Sequence, residues 1–255
     1  MEGEHMKRWK DSLSSAMLVI AFLIIWEIAA RAVNMAFILP SPAGIMEKLW
    51  ELKDVLFFEH LPATLWIILI GLVISIILGV GLAVWMNMSK VAERAFYPIL
   101  IASQMIPIIA LAPIFVLWFG YTIWSKVVVT VLITFFPITV STFDGLRSSS
   151  KELKELLLTM GASKKDIFFK LNVPSALPYF YSGLKVAVTL SVIGAAIGEW
   201  LGAQAGLGYF SRRMMTQFDG AGVFAPIVLL SAVGILLFLL VVWFERKSLK
   251  WRKTE

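Results

Sequence analysis

Acids inside apolar stretches are the first residues to question, because a carboxylate out of water must hold a cation, move a proton or find a partner. Two such acids stand out, Glu27 and Glu199. Glu27 is followed four residues on by Arg31, one helical turn away, so a structural ion pair is the expected use, with a transport role as the alternative. Glu199 has no cation at helical spacing. It adjoins a glycine-rich stretch holding Gln204, Gly206 and Gly208, where it could meet a solute, gate an outer mouth or reach interfacial water. A third polar point is Ser103 and Gln104, beside Met105 and Ile106 and followed by Pro107 and Pro113. Prolines free backbone carbonyls, which membrane helices tolerate best beside a cavity or a neighbouring helix. Ser103, Gln104, Met105, Glu199 and Gln204 are therefore the expected pathway candidates; a kinked helix with a bonded amide is the competing reading of the first three.

Other chemistries lack their residues. There is no Cys, and the only histidines are His5 and His60, so thiol, redox and metal sites are not expected. Neither histidine has the company that a membrane enzyme would need. No G-x-x-x-x-G-K-[ST] phosphate loop occurs, so this chain cannot hold ATP in that way.

The elements that position these residues follow from the bilayer. Of the 255 residues 59% are hydrophobic and 16% charged, and the mean hydropathy is +0.84, more apolar surface than one soluble core could hide. A spanning helix needs about 20 apolar residues. Six stretches qualify, near 13–33, 62–86, 95–119, 123–143, 179–201 and 223–244, which predicts an all-α polytopic membrane protein with six transmembrane helices. With the N-terminus inside, inner segments hold sixteen Lys and Arg, and outer segments hold four, Lys48, Lys53, Arg212 and Arg213. Both termini are therefore expected in the cytoplasm. That asymmetry accounts for the net charge of +6 without nucleic acid, for which no groove or aromatic interleaving argues. The opening MEGEHM lacks the basic region of a signal peptide, and Met6 could serve as the native start.

Three units are expected: a tail, first span and external segment over 1–60, a core over 61–244 with a cytoplasmic loop at 144–178, and a basic tail over 245–255. After the rigid LPSP connector, Ile45, Leu49, Leu52 and Leu56 share a helical face, which predicts an amphipathic helix on the outer membrane surface or a plain spacer. Gly194, Gly198 and Gly202 form a small-residue stripe for close helix packing, within the chain or at a two-fold axis.

The cytoplasmic loop spells two short helices. Ser149 and Glu152 have capping-box spacing, Gly161 is a helix terminator, and Ser163 with Asp166 begins a second helix that Pro174 should end. Leu153, Leu156, Leu157 and Met160 share one face of the first helix. Helices this short are marginal in water and cannot cover such residues. Membrane helices of the same chain, lipid headgroups or a cytoplasmic partner could.

The spacing of Glu155, Gly161, Leu171, Val173 and Pro174 resembles the EAA loop of ABC-importer permeases, EAA-x3-G-x9-I-x-L-P, with Leu156 and Leu157 in place of the alanines. WEIAARAV, LPSP, IPIIALAPIFVLWFG and GEWLGAQAGLGYF extend the resemblance over most of the chain, to the permeases for sulfonates, taurine, nitrate and thiamine pyrimidine precursors, the last looking most similar. The resemblance implies the type I ABC importer fold in a prokaryotic inner membrane, with lipid around it. It implies a homodimer with a second copy of the chain, an external binding protein (extracellular or periplasmic), and a cytoplasmic ABC ATPase that carries the ATP. It also implies that the loop docks on that ATPase through Glu155, Leu156, Leu157 and Met160, that Gly161 allows the turn, where a side chain is expected to clash, and that Pro174 closes the motif. An ion-coupled secondary transporter is the rival; it would predict more intramembrane carboxylates or inverted repeats.

Overall fold

The computed structural model describes the backbone of residues 2–250 and the side chains of 16–250. Met1 and residues 251–255 of the expected basic tail lie outside it, as do the side chains of the expected N-terminal tail. All regular structure among the described residues is helical: α1 (Glu2–Val33), α2 (Pro42–Glu51), α3 (Lys53–Met88), α4 (Lys90–Ser103), α5 (Ile108–Phe119), α6 (Ile123–Arg147), α7 (Lys151–Thr159), α8 (Lys164–Gly202), α9 (Leu207–Thr216) and α10 (Gly220–Ser248). Five of these, α1, α3, α6, α8 and α10, are long and apolar enough to cross a bilayer.

The sixth predicted span is not one rod. Over 95–119 the chain forms α4 and α5, which meet at 99°. Pro107 is the cause, since it has no N–H to donate and its ring would strike the carbonyl of Ser103 in a continuing helix. Pro107 instead takes an extended conformation (φ −65°, ψ 108°) and starts α5, while Gln104 and Met105 close α4 by bonding back to Ile101 and Ala102.

Helix α6 lies at the centre, between α3 and α8. Ile67, Ile68 and Leu72 of α3, Val127 and Ile138 of α6, and Ala187, Val188 and Ala195 of α8 form the main core. The α6–α8 contact is close because glycines face it: a Cβ on Gly183 would lie 2.6 Å from the Pro137 carbonyl oxygen, and one on Gly194 would lie 3.0 Å from Thr130 Cα. Hydroxyls of α6 return to its own backbone, Thr130 to the Lys126 carbonyl at 3.0 Å and Thr134 to that of Thr130 at 2.8 Å, so these β-branched residues pass through the core with their donors paired. The buried Thr142 hydroxyl, in contrast, has no partner among the described residues. Thr134 also meets Ser75 of α3 at 2.6 Å.

Helix α1 is peripheral, with Ala30 its one buried side chain among the described residues. Helix α2 is less peripheral than an interfacial helix. Ile45 and Leu56 are buried, and Leu49 and Leu52 pack on the cluster of Leu207, Phe210 and Leu229, so the apolar face is covered by α9 and α10. Lys48 fixes this contact by pairing with Glu51 at 3.1 Å and with Asp219 at 3.3 Å. Glu51 first, then Asp219, hold the Lys48 ammonium above its ordinary pKa against the opposing effect of partial burial. Asp219 also caps α10 by accepting the Gly222 N–H at 2.8 Å. Lys48→Met and Asp219→Asn should each cost under about 1 kcal/mol in thermal unfolding, because the pair is partly exposed. Asp219→Ala should cost more, by about 0.5–2 kcal/mol for the lost cap.

Candidate functional site

Helix α7 is built to stand alone. The Ser150 hydroxyl accepts the Leu153 N–H at 3.2 Å and starts the helix, one residue later than Ser149, whose hydroxyl instead bonds Asn172 at 3.2 Å. At the other end Gly161 turns left-handed (φ +81°). Its N–H reaches the Leu158 carbonyl at 3.0 Å and that of Ala162 reaches Leu157 at 2.9 Å, a Schellman closure. A Cβ at Gly161 would meet no atom within 4 Å, so the expected clash at this turn does not exist within the chain; backbone conformation is the reason for glycine.

No residue of α7 is buried. Leu153, Leu156, Leu158 and Met160 are exposed, Met160 at 74%, and Glu155 is exposed beside them, while Leu157 is half-buried. Leu158 thus takes the outward place expected of Leu157. The protein's own membrane helices do not cover this face, which leaves lipid or a partner.

After the turn, Ser163 and Asp166 form a reciprocal capping box, and Asp166 pairs with Lys170 at 2.8 Å. The helix so begun does not end at Pro174. Over Phe168–Asn172 it widens by one π turn, and the Val173 N–H reaches the Phe168 carbonyl. Pro174 enters just after that turn, in what is locally a new first turn, where its missing N–H costs least. Helix α8 therefore runs unbroken from the loop to Gly202.

At its far end α8 carries Glu199, which is fully buried and does not reach water. Its carboxylate accepts the Thr64 hydroxyl at 2.7 Å and the Gly208 N–H at 2.6 Å. Thr64 in turn accepts the Leu207 N–H at 2.9 Å, and His60 Nδ1 accepts that of Gly206 at 3.1 Å, which leaves the ring proton on Nε2. Three of the four backbone N–H groups left orphaned at the start of α9 thus end on side chains of α3 and α8. This corrects the expectation that Glu199 lines a pathway: its oxygens are occupied inside the protein. Gly206, at φ +123°, permits the arrangement.

The other expected residues fall at separate places. Arg31 Nε lies 2.7 Å from Glu27 Oε1, and Glu27 Oε2 accepts the Ala43 N–H at 3.0 Å, tying α1 to the start of α2. Ser103, Gln104 and Met105 occupy the corner between α4 and α5; Gln104 and Met105 are exposed there, and Ser103 bonds the Leu100 carbonyl at 2.7 Å. Gln204 is exposed in the loop before α9. The glycine stripe packs inside the chain, Gly194 on Thr130, Gly198 on Lys126 and Gly202 on Val116. A groove of about 620 Å³ runs between α8, α9 and α10, with Trp200, Ser211, Ser231 and Gly234 among its walls, and none of the expected pathway residues lines it.

Two intramembrane cations had escaped the sequence reading. Lys126 is buried against Gly198, with Nζ on the Tyr121 and Thr122 carbonyls at 2.8 and 2.7 Å. Lys185 pairs with Glu245 of α10 at 2.9 Å. Both lie near the ends of apolar runs, and position within a run is the one signal that could have found them.

Comparison with known proteins adds the following. The family described as binding-protein-dependent transport system inner membrane component matches residues 71–250. The formylaminopyrimidine transport permease protein ThiX of Halalkalibacterium halodurans is 58% identical over 250 residues, covering 98% of this chain and all of that one. The riboflavin transport system permease protein RibX of Chloroflexus aurantiacus is 32% identical, covering 94% and 90%. The nitrate import permease protein NrtB of Leptolyngbya laminosa is 24% identical, covering 92% and 87%.

Proposed function

The chain belongs to the inner membrane components of binding-protein-dependent transport systems, the permease subunits of ABC importers, and from that premise we propose that it imports a formylaminopyrimidine-type precursor. The extent of its similarity to the relative named for that solute, far above the riboflavin and nitrate relatives, supports this choice. No dense cationic cluster lines the spans, which disfavours a fixed site for nitrate or a sulfonate.

The observation that carries the mechanism is α7, a helix capped at both ends that exposes Leu153, Leu156, Leu158 and Met160 and buries nothing. Its partner is a cytoplasmic ATPase that supplies the ATP; the apolar face enters a socket there, with Glu155 at the rim. A nucleotide-driven movement of that socket tilts α8, and the helices alternate between two rigid arrangements. Both termini lie in the cytoplasm, as the basic residues indicate. A binding protein delivers solute on the outer face, and a second copy of the chain completes the pathway. Ser103, Gln104 and Met105 at the α4–α5 corner, with Gln204 outside, contact the solute: carbonyls freed at that break would accept from the amino group of a pyrimidine.

A family of binding-protein-dependent systems leaves an ion-coupled carrier without support. The direct test is uptake of radiolabelled formylaminopyrimidine by vesicles holding the chain with its co-expressed ATPase and binding protein. Uptake should require ATP and resist a hundredfold excess of nitrate or riboflavin. Transport that survives ATP depletion, or an ATPase that never copurifies, would sink the reading.

A further inference from the structure

We infer that Glu199, Thr64 and His60 are positioning residues that carry the movement of the cytoplasmic loop to the outer helix α9. The inference rests on α7 being the docking element, and it concerns how the motion reaches the opposite side of the membrane.

Two features of the chain make the link. The first is α8, a single helix with the docking loop at one end and Glu199 near the other, so a tilt imposed at Lys164 is felt about 50 Å away at about 1.5 Å per residue. Its prolines, Pro174 and Pro178, both lie near the base, and beyond Pro178 no residue breaks the ladder. The second is the start of α9. No side chain of its own loop caps it. Gly206 and Leu207 donate to His60 and Thr64 on α3, whereas Gly208 donates to Glu199 on α8. The Thr64–Glu199 bond at 2.7 Å closes the joint between the two helices.

The joint has little slack. Hydrogen bonds to a carboxylate weaken steeply beyond about 3.2 Å, so a relative shift of α3 and α8 by an ångström or two must either move α9 or break the clamp. Water cannot fill the gap, because the backbone at Gly206 and Gly208 lies directly on the Glu199 carboxylate. Helix α9 is free to respond on its other side. Leu207, Phe210 and Met214 hold it to α10 and to Leu56 mainly by apolar contact, with one hydrogen bond from the Ser211 hydroxyl to the Val223 carbonyl at 3.2 Å, and its outer face, with Arg213 and Gln217, is exposed. A tilt of α8 thus becomes a displacement of the outer element between the last two spans, through named hydrogen bonds rather than general strain.

The test uses the complex of this chain with its copurified ATPase and binding protein in lipid vesicles. Thr64→Val keeps the shape and removes the joint, Thr64→Ser keeps the hydroxyl, and Glu199→Gln replaces one acceptor oxygen with a donor. For Thr64→Val and Glu199→Gln, ATP hydrolysis should stay within twofold of the unsubstituted complex, while formylaminopyrimidine taken up per ATP falls at least tenfold. Thr64→Ser should return the ratio to within twofold. A clamp that merely stabilises the fold would lower uptake and hydrolysis together and leave the ratio unchanged; that result, or failure of Thr64→Val to assemble where Thr64→Ser assembles, overturns the inference. A second readout needs no solute. Because the chain has no cysteine, spin labels placed through Phe58→Cys on α3 and Gln217→Cys at the end of α9 report their separation. Nucleotide trapping should change that separation by several ångströms, and the change should vanish in Thr64→Val; its persistence there overturns the inference as well. If the unsubstituted complex shows no nucleotide response at all, the docking reading has failed, and the two failures are distinct.

Discussion

Gly161→Asp should abolish uptake while the protein still inserts, whereas Gly161→Asn should keep at least half of it. Both side chains have the same shape, and both residues visit the left-handed region more readily than other side-chain-bearing residues, at about 1–2 kcal/mol relative to glycine. Open space around this position removes any steric difference within the chain. What separates the two is one negative charge, next to the exposed Leu158 and Met160. Placed in an apolar socket with no partner, a carboxylate costs several kcal/mol, and about 1.4 kcal/mol is already tenfold in occupancy of the dock. Uptake per inserted molecule in vesicles measures this. Equal activity in the two variants would mean that no socket closes over the end of α7.

The ends of the loop were legible because caps are local. Ser163 with Asp166 and the glycine at 161 announce themselves within a few residues, and the structure uses each as the sequence suggests. The start of α7 slipped by one residue because three serines stand in a row and any could accept from a backbone N–H three positions on. The spans were legible because lipid imposes length and composition. The 99° break within 95–119 was not, since both arms are apolar and hydropathy is blind to direction; Pro107 marked the place but not the angle. Pro174 misled for a related reason. A proline ends a helix with α-type bonding, but a π turn immediately before it removes the demand for its N–H.

Least legible was the clamp. Glu199 finds its hydroxyl partner 135 residues earlier in the chain, and the N–H groups it shares with Thr64 and His60 belong to a loop whose own side chains take no part. No periodicity encodes such a meeting. What the sequence does show is the requirement it creates: GLGY after a buried acid, with glycine wherever backbone must touch the carboxylate. The glycine stripe 194–198–202 followed the same logic on the other face of α8, against Thr130 and Lys126 of α6 and Val116 of α5, and there the spacing of small residues alone suggests packing.

Gly206 therefore carries the largest expected cost in stability. At φ +123° and ψ 158° its backbone lies in a region that only glycine visits freely, which for alanine costs about 1–3 kcal/mol. The added Cβ would also sit 2.3 Å from the Glu199 carboxyl carbon and 2.4 Å from Oε1, so the carboxylate must leave its donors. A buried charge stripped of its partners costs a further 3–5 kcal/mol or so. Together these are a large share of the whole stability of a typical domain, and Gly206→Ala should accumulate in reduced amounts and melt far below the unsubstituted protein. Gly161→Ala, with a positive φ but open surroundings, should lose only about 1–2 kcal/mol. The two costs at Gly206 separate in a double-mutant cycle. Adding Glu199→Ala to Gly206→Ala removes the collision but not the backbone strain, so the double variant should melt higher than Gly206→Ala alone, a non-additivity of at least about 1 kcal/mol. Additive losses would mean that Gly206 and Glu199 do not share the space drawn here, and the clamp would lose its tightest joint.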